Sequence, residues 1–280
     1  MALDDTIRQV WARALLQNLQ KTQVFGQPGV INRNYEGEIA QWGDRVHIQN
    51  IGAVNVISYT KNTDLSALQV LDDAKQTLVI DQQDAFNVFL DDIDRVQANP
   101  GLAAELSREA AYALSDATDQ FIAATMVAGA TGAVDADTTT EGGAYEALVE
   151  AGVELDEANI TTNGRFAIVP SWFHARLLLD ERFVKFGGPN QETTLRNGLV
   201  GEAAGFTIMK SNNIPNESEV YDAIAGVSSA TTFANQISKV ESIRNDKRFG
   251  DNVRGLHVYG AEVIRPTGLV KLTVTRTESP

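Results

Sequence analysis

The chain has 280 residues, a formal net charge of −14 at neutral pH and no cysteine; 43% of its residues are hydrophobic and 21% are charged. Zero cysteines exclude disulfides, thiolate zinc sites, iron–sulfur clusters and thiol nucleophiles. The acidic balance argues against broad electrostatic capture of nucleic acid, which needs a basic surface. A chain near this length buries about 75% of its unfolded surface and needs no covalent staple. It divides into one large domain or two smaller ones.

Neither a signal peptide nor a spanning helix is expected. Asp4 and Asp5 stand where a signal peptide wants positive charge, and no apolar stretch follows them. The most apolar run, 121–134, has 14 residues, short of the roughly 20 that a spanning helix needs. It reads as the buried end of a soluble helix.

Residues 3–21 form the first amphipathic segment. Leu3, Ile7, Val10, Trp11, Ala14, Leu15 and Leu19 recur at steps of three and four, and Asp4 and Asp5 suit a helix start. An isolated helix of this length is marginal in water, so its apolar stripe packs on this chain or on another. Residues 22–40 carry no such period. Over 44–60 the period changes to two, with Val46, Ile48, Val54 and Val56 alternating with polar residues. A polar stretch over 61–76 separates this segment from a second strand over 77–80. Together, 44–81 reads as two long strands with a polar connection, too poor in large apolar residues to bury itself on its own core.

Residues 81–119 hold nine acids against two bases. Pro100 opens a long helix, as proline does well at a first helical position. Its apolar face is expected on Leu102, Leu106, Ala110, Ala113, Leu114, Ala117 and Phe121, and it runs to about residue 127. A loop over 130–140 precedes a helix over 144–155. Asn163-Gly164 reads as a turn, 165–169 as a strand and 170–179 as a short helix. An irregular segment extends from Gly187 to about 200. Strands are expected over 206–209, 220–226, 237–244, 256–263 and 269–276, with a helix around 229–235.

Catalytic signatures are sparse. None of His47, His174 and His257 has a second ligand at metal-binding spacing, and no phosphate-binding glycine loop or nucleophile elbow occurs. The best candidate by composition is Asp91, Asp92 and Asp94. Three carboxylates this close suit a hard cation, a pair of acid–base carboxylates, or a solvated or Arg-paired turn before the long helix. The loop pattern of a dedicated calcium site is missing, and no pocket motif accompanies them. Arg outnumbers Lys by 15 to 8, and Arg is enriched at protein interfaces. Arg244, Lys247, Arg248 and Arg254 form a local basic patch, open to an interface, a solvated face or nucleic acid. No catalytic, cofactor-binding or metal residue is assigned, and no cofactor is implied.

Specific stretches in a specific order carry a resemblance. They are Asn34-Tyr35-Glu36-Gly37-Glu38-Ile39, Gly43-Asp44-Arg45-Val46-His47-Ile48, Leu78-Val79-Ile80-Asp81-Gln82 and Asp91-Asp92-Ile93-Asp94-Arg95-Val96-Gln97. Then follow Ala113-Leu114-Ser115-Asp116-Ala117-Thr118-Asp119, Arg165-Phe166-Ala167-Ile168-Val169-Pro170, Gly205-Phe206-Thr207-Ile208 and 258–266, VYGAEVIRP. With the order of helical arm, long two-stranded excursion, acidic lead, long helix, mixed domain and closing strand, the chain resembles the major capsid proteins of tailed bacteriophages with the Hong Kong 97 fold.

The resemblance implies an α+β fold with an N-terminal arm over 1–40 and an extended β-hairpin loop over 41–80 that lies on a neighbouring subunit. It implies a peripheral domain with a long spine helix over 81–135, an axial domain over 136–255, and C-terminal strands over 256–280 returning to the peripheral domain. The function implied is a non-enzymatic coat protein. It would assemble through pentamers and hexamers into an icosahedral shell around double-stranded DNA, without sequence-specific binding and without a membrane. Scaffolding, portal and decoration proteins are further partners, and assembly would take place in the bacterial host cytoplasm. Some members crosslink a loop lysine to a neighbour's asparagine. Lys61 lies in the corresponding element, although a lone lysine in a polar loop reads first as solvent-exposed. An encapsulin-type shell around an enzyme cargo shares the fold and is the alternative. A carboxylate-dependent hydrolase and a monomeric binding module are the readings from other classes.

Overall fold

The computed structural model describes residues 23–35, 45–51, 61–62, 73–91, 102–138, 142–180, 201–244 and 247–276. The expected first helix, most of the polar connection, Pro100 and the segment 187–200 lie outside them. The first part of the chain gives β1 Arg45–Ile51, β2 Asp73–Val79, β3 Gln82–Asp91, α1 Leu102–Gly129 and β4 Gly132–Ala136. The middle gives α2 Gly143–Glu157, β5 Arg165–Val169, α3 Ser171–Leu179, β6 Glu202–Ala203, β7 Phe206–Lys210 and β8 Asn216–Glu217. The last part gives β9 Val220–Val227, β10 Thr231–Arg244, β11 Gly250–Val263 and β12 Leu269–Thr275.

Among the described residues α1 is the longest helix, with 28 residues, or about 42 Å at 1.5 Å per residue. Its buried stripe runs through Ala110, Ala111, Leu114, Ser115, Thr118, Asp119, Ile122, Ala123 and Met126. Ala113, expected on the apolar face, is exposed, while Ala117 and Phe121 are half-buried. Alanine carries too little apolar area to decide a face. Polar residues share the buried stripe because they find partners: Thr118 Oγ1 donates to the Leu114 carbonyl at 2.7 Å.

The strands of the described residues form three sheets. β1 and β2 make a two-stranded antiparallel pair, and β10-β11-β3 make a three-stranded antiparallel sheet. A seven-stranded mixed sheet has the order β4-β12-β9-β5-β7-β6, with β8 paired to β9. One face of the three-stranded sheet meets α1: Phe86 packs on Ala110, Ala111 and Leu114, and the Tyr259 ring lies edge-on to Phe121 at 5.4 Å. The opposite face takes the base of the β1–β2 pair, through Ile48, Leu78 and Ile80 on Ala234 and Val258.

The seven-stranded sheet lies between two layers. On one face α2 and α3 bury Leu148, Ala151, Leu155, Phe173 and Leu177 against Val169, Phe206, Ala225 and Leu272. On the other face Phe166, Ile168, Ile224 and Leu269 meet Ile122 and Met126 of α1 and Phe25, Val30 and Ile31 of the segment 23–35. The second half of α1 therefore joins the two larger sheets.

Local chemistry explains the well-defined elements. The turn before β5 uses Gly164 at φ +74°, a region that favours glycine. Pro170, extended at φ −62°, leads α3, and its carbonyl accepts the His174 N–H at 3.0 Å. Arg165 pins the loop from α2 to β5: its Nη2 donates to Asp156 Oδ1 at 2.6 Å and to the Ile160 carbonyl at 2.7 Å.

Three expectations are corrected. β3 occupies the acidic lead, where half-buried Gln82, Asp84, Phe86 and Val88 alternate with exposed Gln83, Ala85 and Asn87. β4 occupies the expected 130–140 loop, held parallel to β12 from Gly132↔Val270 to Ala136↔Val274. The expected helix over 229–235 is a single 3₁₀ turn, Ser228–Ala230, followed at once by β10. Thr231, Thr232 and Phe233 favour extended backbone, and the chain is fixed there when the Phe233 N–H donates to the Asn32 carbonyl at 3.0 Å. Residues 256–263 stay in the three-stranded sheet, whereas β12 lies between β4 and β9 in the seven-stranded one.

Candidate assembly surfaces

The segment 23–35 is seated by three apolar anchors and one carboxylate. Phe25, Val30 and Ile31 are buried, and Asp119 of α1 is only 2% exposed. Its Oδ2 accepts the Val24 N–H at 2.7 Å, and its Oδ1 accepts the Gly26 N–H at 3.4 Å. Burial pushes the Asp119 carboxyl up to about 6, against the pull of backbone N–H groups at residues 24, 26 and 25. Arg33 completes the seat: its Nη1 donates to the Gly26 carbonyl at 2.9 Å and its Nη2 to Asn235 Oδ1 at 3.1 Å. Its guanidinium lies 5.5 Å from the Phe233 ring centre.

Beside this seat runs a buried polar row on β11. His257 is fully buried, stacked on Tyr259 at 4.9 Å, and among the described residues neither ring nitrogen finds a hydrogen-bond partner. Burial holds its pKa down to about 4, with Asp84 pulling upward and Arg33 downward. Tyr259 donates its hydroxyl to Asp84 Oδ2 at 2.6 Å. Burial and that carboxylate push the phenol well above its ordinary range.

The base of the β1–β2 pair presses on β11 at Gly260. A Cβ there would lie 2.2 Å from the Val79 carbonyl oxygen, so only glycine admits this crossing. Beyond the covered area, Ala85, Asn87 and Arg254 of the three-stranded sheet are exposed. A shallow cavity of about 280 Å³ is lined there by Ala85, Asn87, Glu241, Arg254 and Leu256. Arg254 holds Glu241 through Nη2 at 2.6 Å and Nε at 2.9 Å. Next to the turn from β10 to β11, Ile243 is 42% exposed and Phe249 78% exposed.

The residues singled out from sequence scatter. Asp91 ends β3 opposite Gly250, and Asp92 and Asp94 lie outside the described residues. Among the described residues no group of three or more His, Asp or Glu is placed to hold a metal. His47 lies in the two-stranded pair, His174 in α3 and His257 in the three-stranded sheet. Burial, with Lys210 nearby, lowers the His174 pKa. Lys61 is exposed in a turn with Asn62 at φ 66°. Of the basic patch, Arg254 takes the Glu241 pair, and the Arg248 guanidinium lies 6.0 Å from the Phe89 ring centre.

Sequence reasoning passed over Asp119, Arg33 and Gly260. For Asp119 a signal existed: a carboxylate between Thr118 and Ile122, inside a helical apolar stripe, must meet donors when it is buried. Among the described residues no helix is long and apolar enough to cross a membrane.

A profile of the phage capsid protein family matches residues 75–272. A solved structure from Mycobacterium phage Che8 is 30% identical, with a TM-score of 0.75, over 89% of this chain and 90% of that one. The capsid structure of the cyanophage P-SCSP1u is 18% identical with a TM-score of 0.73, over 91% of this chain and 89% of that one. A virus-like particle from Pyrococcus furiosus is 11% identical with a TM-score of 0.56, over 95% of this chain and 99% of that one. At that identity it shares the fold alone. No curated protein sequence matches the chain.

Proposed function

The chain belongs to the phage capsid protein family and is a major capsid protein of the Hong Kong 97 type, and from that premise we propose how its parts build a shell. The observation that carries the reading is the family match over 75–272 together with likeness over nine-tenths of a phage chain at 30% identity. The subunit is structural, and copies of it make the virion capsid. In the finer reading copies close into pentamers and hexamers, and these form an icosahedral shell around double-stranded DNA. The work is mechanical, with no catalytic step.

Residues 1–40 serve as the arm and 41–80 as the extended loop. The peripheral part holds α1 and the three-stranded sheet, and the axial part the seven-stranded sheet. Two features support this division. A two-stranded ribbon such as β1–β2 is marginal by itself, so its polar far end gains most by lying on another copy. The segment 23–35 is pinned tightly at Asp119 and Arg33, which gives an arm before residue 23 a fixed exit. Many modest interfaces, each with an apolar centre and a polar rim, then add up in a closed shell. Scaffolding, portal and decoration proteins fit the same reading, with assembly in the host cytoplasm. A net charge of −14 per copy suits a container that must not hold its DNA tightly.

Light scattering on the purified chain tests the assembly. Particles of many copies are expected; a species that stays at 30.3 kDa across salt and protein concentration would overturn it. The contents test the genome: particles from infected cells should carry nuclease-protected DNA, and an enzyme cargo in its place would favour a cellular compartment.

A further inference from the structure

We propose that Asn163, in the turn from α2 to β5, is a site of spontaneous covalent modification: its side-chain amide is lost as ammonia through attack by the Gly164 main-chain nitrogen. Asparagine is among the thermolabile residues, and this turn gathers what the chemistry needs.

The tip of the turn is open. Residues 161–164 are all exposed, while Arg165 directly after them is buried. A Cβ placed on Gly164 would meet nothing within 4 Å, so the space beside the attacking nitrogen is clear. Hydrogen bonds hold the ends of the turn. The Asn163 N–H donates to Thr161 Oγ1 at 3.3 Å, and Arg165 Nε donates to the Thr161 carbonyl at 3.0 Å. Among the described residues no hydrogen bond holds the two reacting groups, the Asn163 side-chain amide and the Gly164 N–H. The neighbour matters as much as the exposure. Gly164, at φ +74°, has no Cβ to crowd its nitrogen or stiffen the main chain. Other described asparagines lack that neighbour or that freedom. Asn159 precedes β-branched Ile160, and its amide donates to the Glu157 carbonyl at 3.3 Å. Asn212 precedes Asn213 and accepts from Ser171 Oγ at 2.8 Å. Asn235 is buried and accepts from Arg33. A second Asn-Gly pair, Asn197-Gly198, lies outside the described residues.

Water is the only other reactant. The Gly164 nitrogen gives its proton to solvent base and bonds to Asn163 Cγ. The Cγ–Nδ2 bond breaks, the amide nitrogen takes up a proton and leaves as ammonia, and a five-membered imide closes. Water then adds to either imide carbonyl, and the proton returns to the Gly164 nitrogen. Opening at Cγ leaves an ordinary aspartate at position 163. Opening at the main-chain carbonyl leaves isoaspartate, with the chain running through Cγ. Nothing is oxidised or reduced. Either product adds one negative charge to a chain already at −14, and isoaspartate also adds one carbon to the main chain. That carbon falls inside the loop that Arg165 closes on Thr161, ahead of the Arg165↔Val227 pairing that begins β5, so the change is confined to the turn.

The test follows the purified, unaltered chain through warm storage at neutral and at mildly alkaline pH. Isoelectric focusing should show a growing acidic band, faster at the higher pH because the attacking nitrogen must lose its proton. Peptide mass spectrometry should place a one-dalton gain at position 163, and isoaspartyl methyltransferase should label the same peptide. Asn163→Gln, with native circular dichroism, should lose that contribution, since its longer side chain must close a six-membered ring. An intact amide at position 163 in the folded chain, beside conversion there in the chain unfolded in urea, would overturn the proposal, because the folded turn would then protect the residue. Acid gain confined to Asn197 would overturn it equally. Neither result bears on the shell reading, which the presence or absence of particles tests separately.

Discussion

Asp119 and His257 are two buried titratable groups that pull stability in opposite directions with pH. The folded Asp119 value of about 6 stands above its ordinary 3.8. Its contribution to stability is therefore fully present below about pH 4 and is lost as pH rises through about 6. The folded His257 value of about 4 stands below its ordinary 6.5. Its contribution is present above about pH 6.5 and is lost as pH falls through about 4. Between these limits the two slopes oppose. Asp119→Asn removes one of them, so the variant's unfolding free energy should fall more steeply than the parent's as pH drops from 6.5 to 4. Urea melts at several pH values check this, and parallel profiles would contradict a buried carboxylate at residue 119. A second residue-scale prediction concerns Gly260. Its Cβ would meet the Val79 carbonyl, and overpacking of this kind costs about 1–3 kcal/mol. Gly260→Ala should lower stability by that amount and speed amide exchange across 45–51 and 73–79. An unchanged exchange pattern would mean that the ribbon does not press on β11.

At the scale of elements, the β1–β2 ribbon is the part most open to test. Its base belongs to the core through Ile48, Leu78 and Ile80, while Lys61 and Asn62 in the connection are exposed. Replacing 63–72 by a short Gly-Ser turn should leave a folded chain with native circular dichroism that fails to form closed particles. Normal particles from that variant would refute the loop's role between copies. The elements also differ in how plainly they could be read from sequence. α1 was legible because 28 residues repeat the helical period many times. β5 and α3 were legible because Asn163-Gly164 and Pro170 mark their ends. β3, β4 and the first part of β10 were not. Each is fixed by a partner distant in sequence: Asp84 lies opposite His257, Val134 opposite Leu272, and Asn32 against Thr232. Small and polar residues such as Gly132, Ala133 and Asp135 have no local preference for a strand; the ladder to β12 supplies it. The seat for 23–35 was hidden for the same reason. Asp119 and Val24 are 95 residues apart, and no local pattern joins them.

For the whole molecule, the composition acquires a meaning it lacks in isolation. Without cysteine, a shell of this chain depends on packing, intertwined segments and polar contacts. The charge of −14 per copy becomes a collective field, screened beyond about 8 Å at physiological salt. Contacts between copies must therefore bring basic and apolar groups to acidic ones. The layering gives the subunit a way to transmit those contacts, since α1 packs on the three-stranded sheet through Ala110, Leu114 and Phe121 and on the seven-stranded sheet through Ile122 and Met126. The most direct test of the account is negative-stain electron microscopy of the purified, unaltered chain under assembly conditions. Closed isometric particles of uniform size, built from rings of copies, are predicted. Dispersed single subunits or amorphous aggregate at every salt and protein concentration would contradict it.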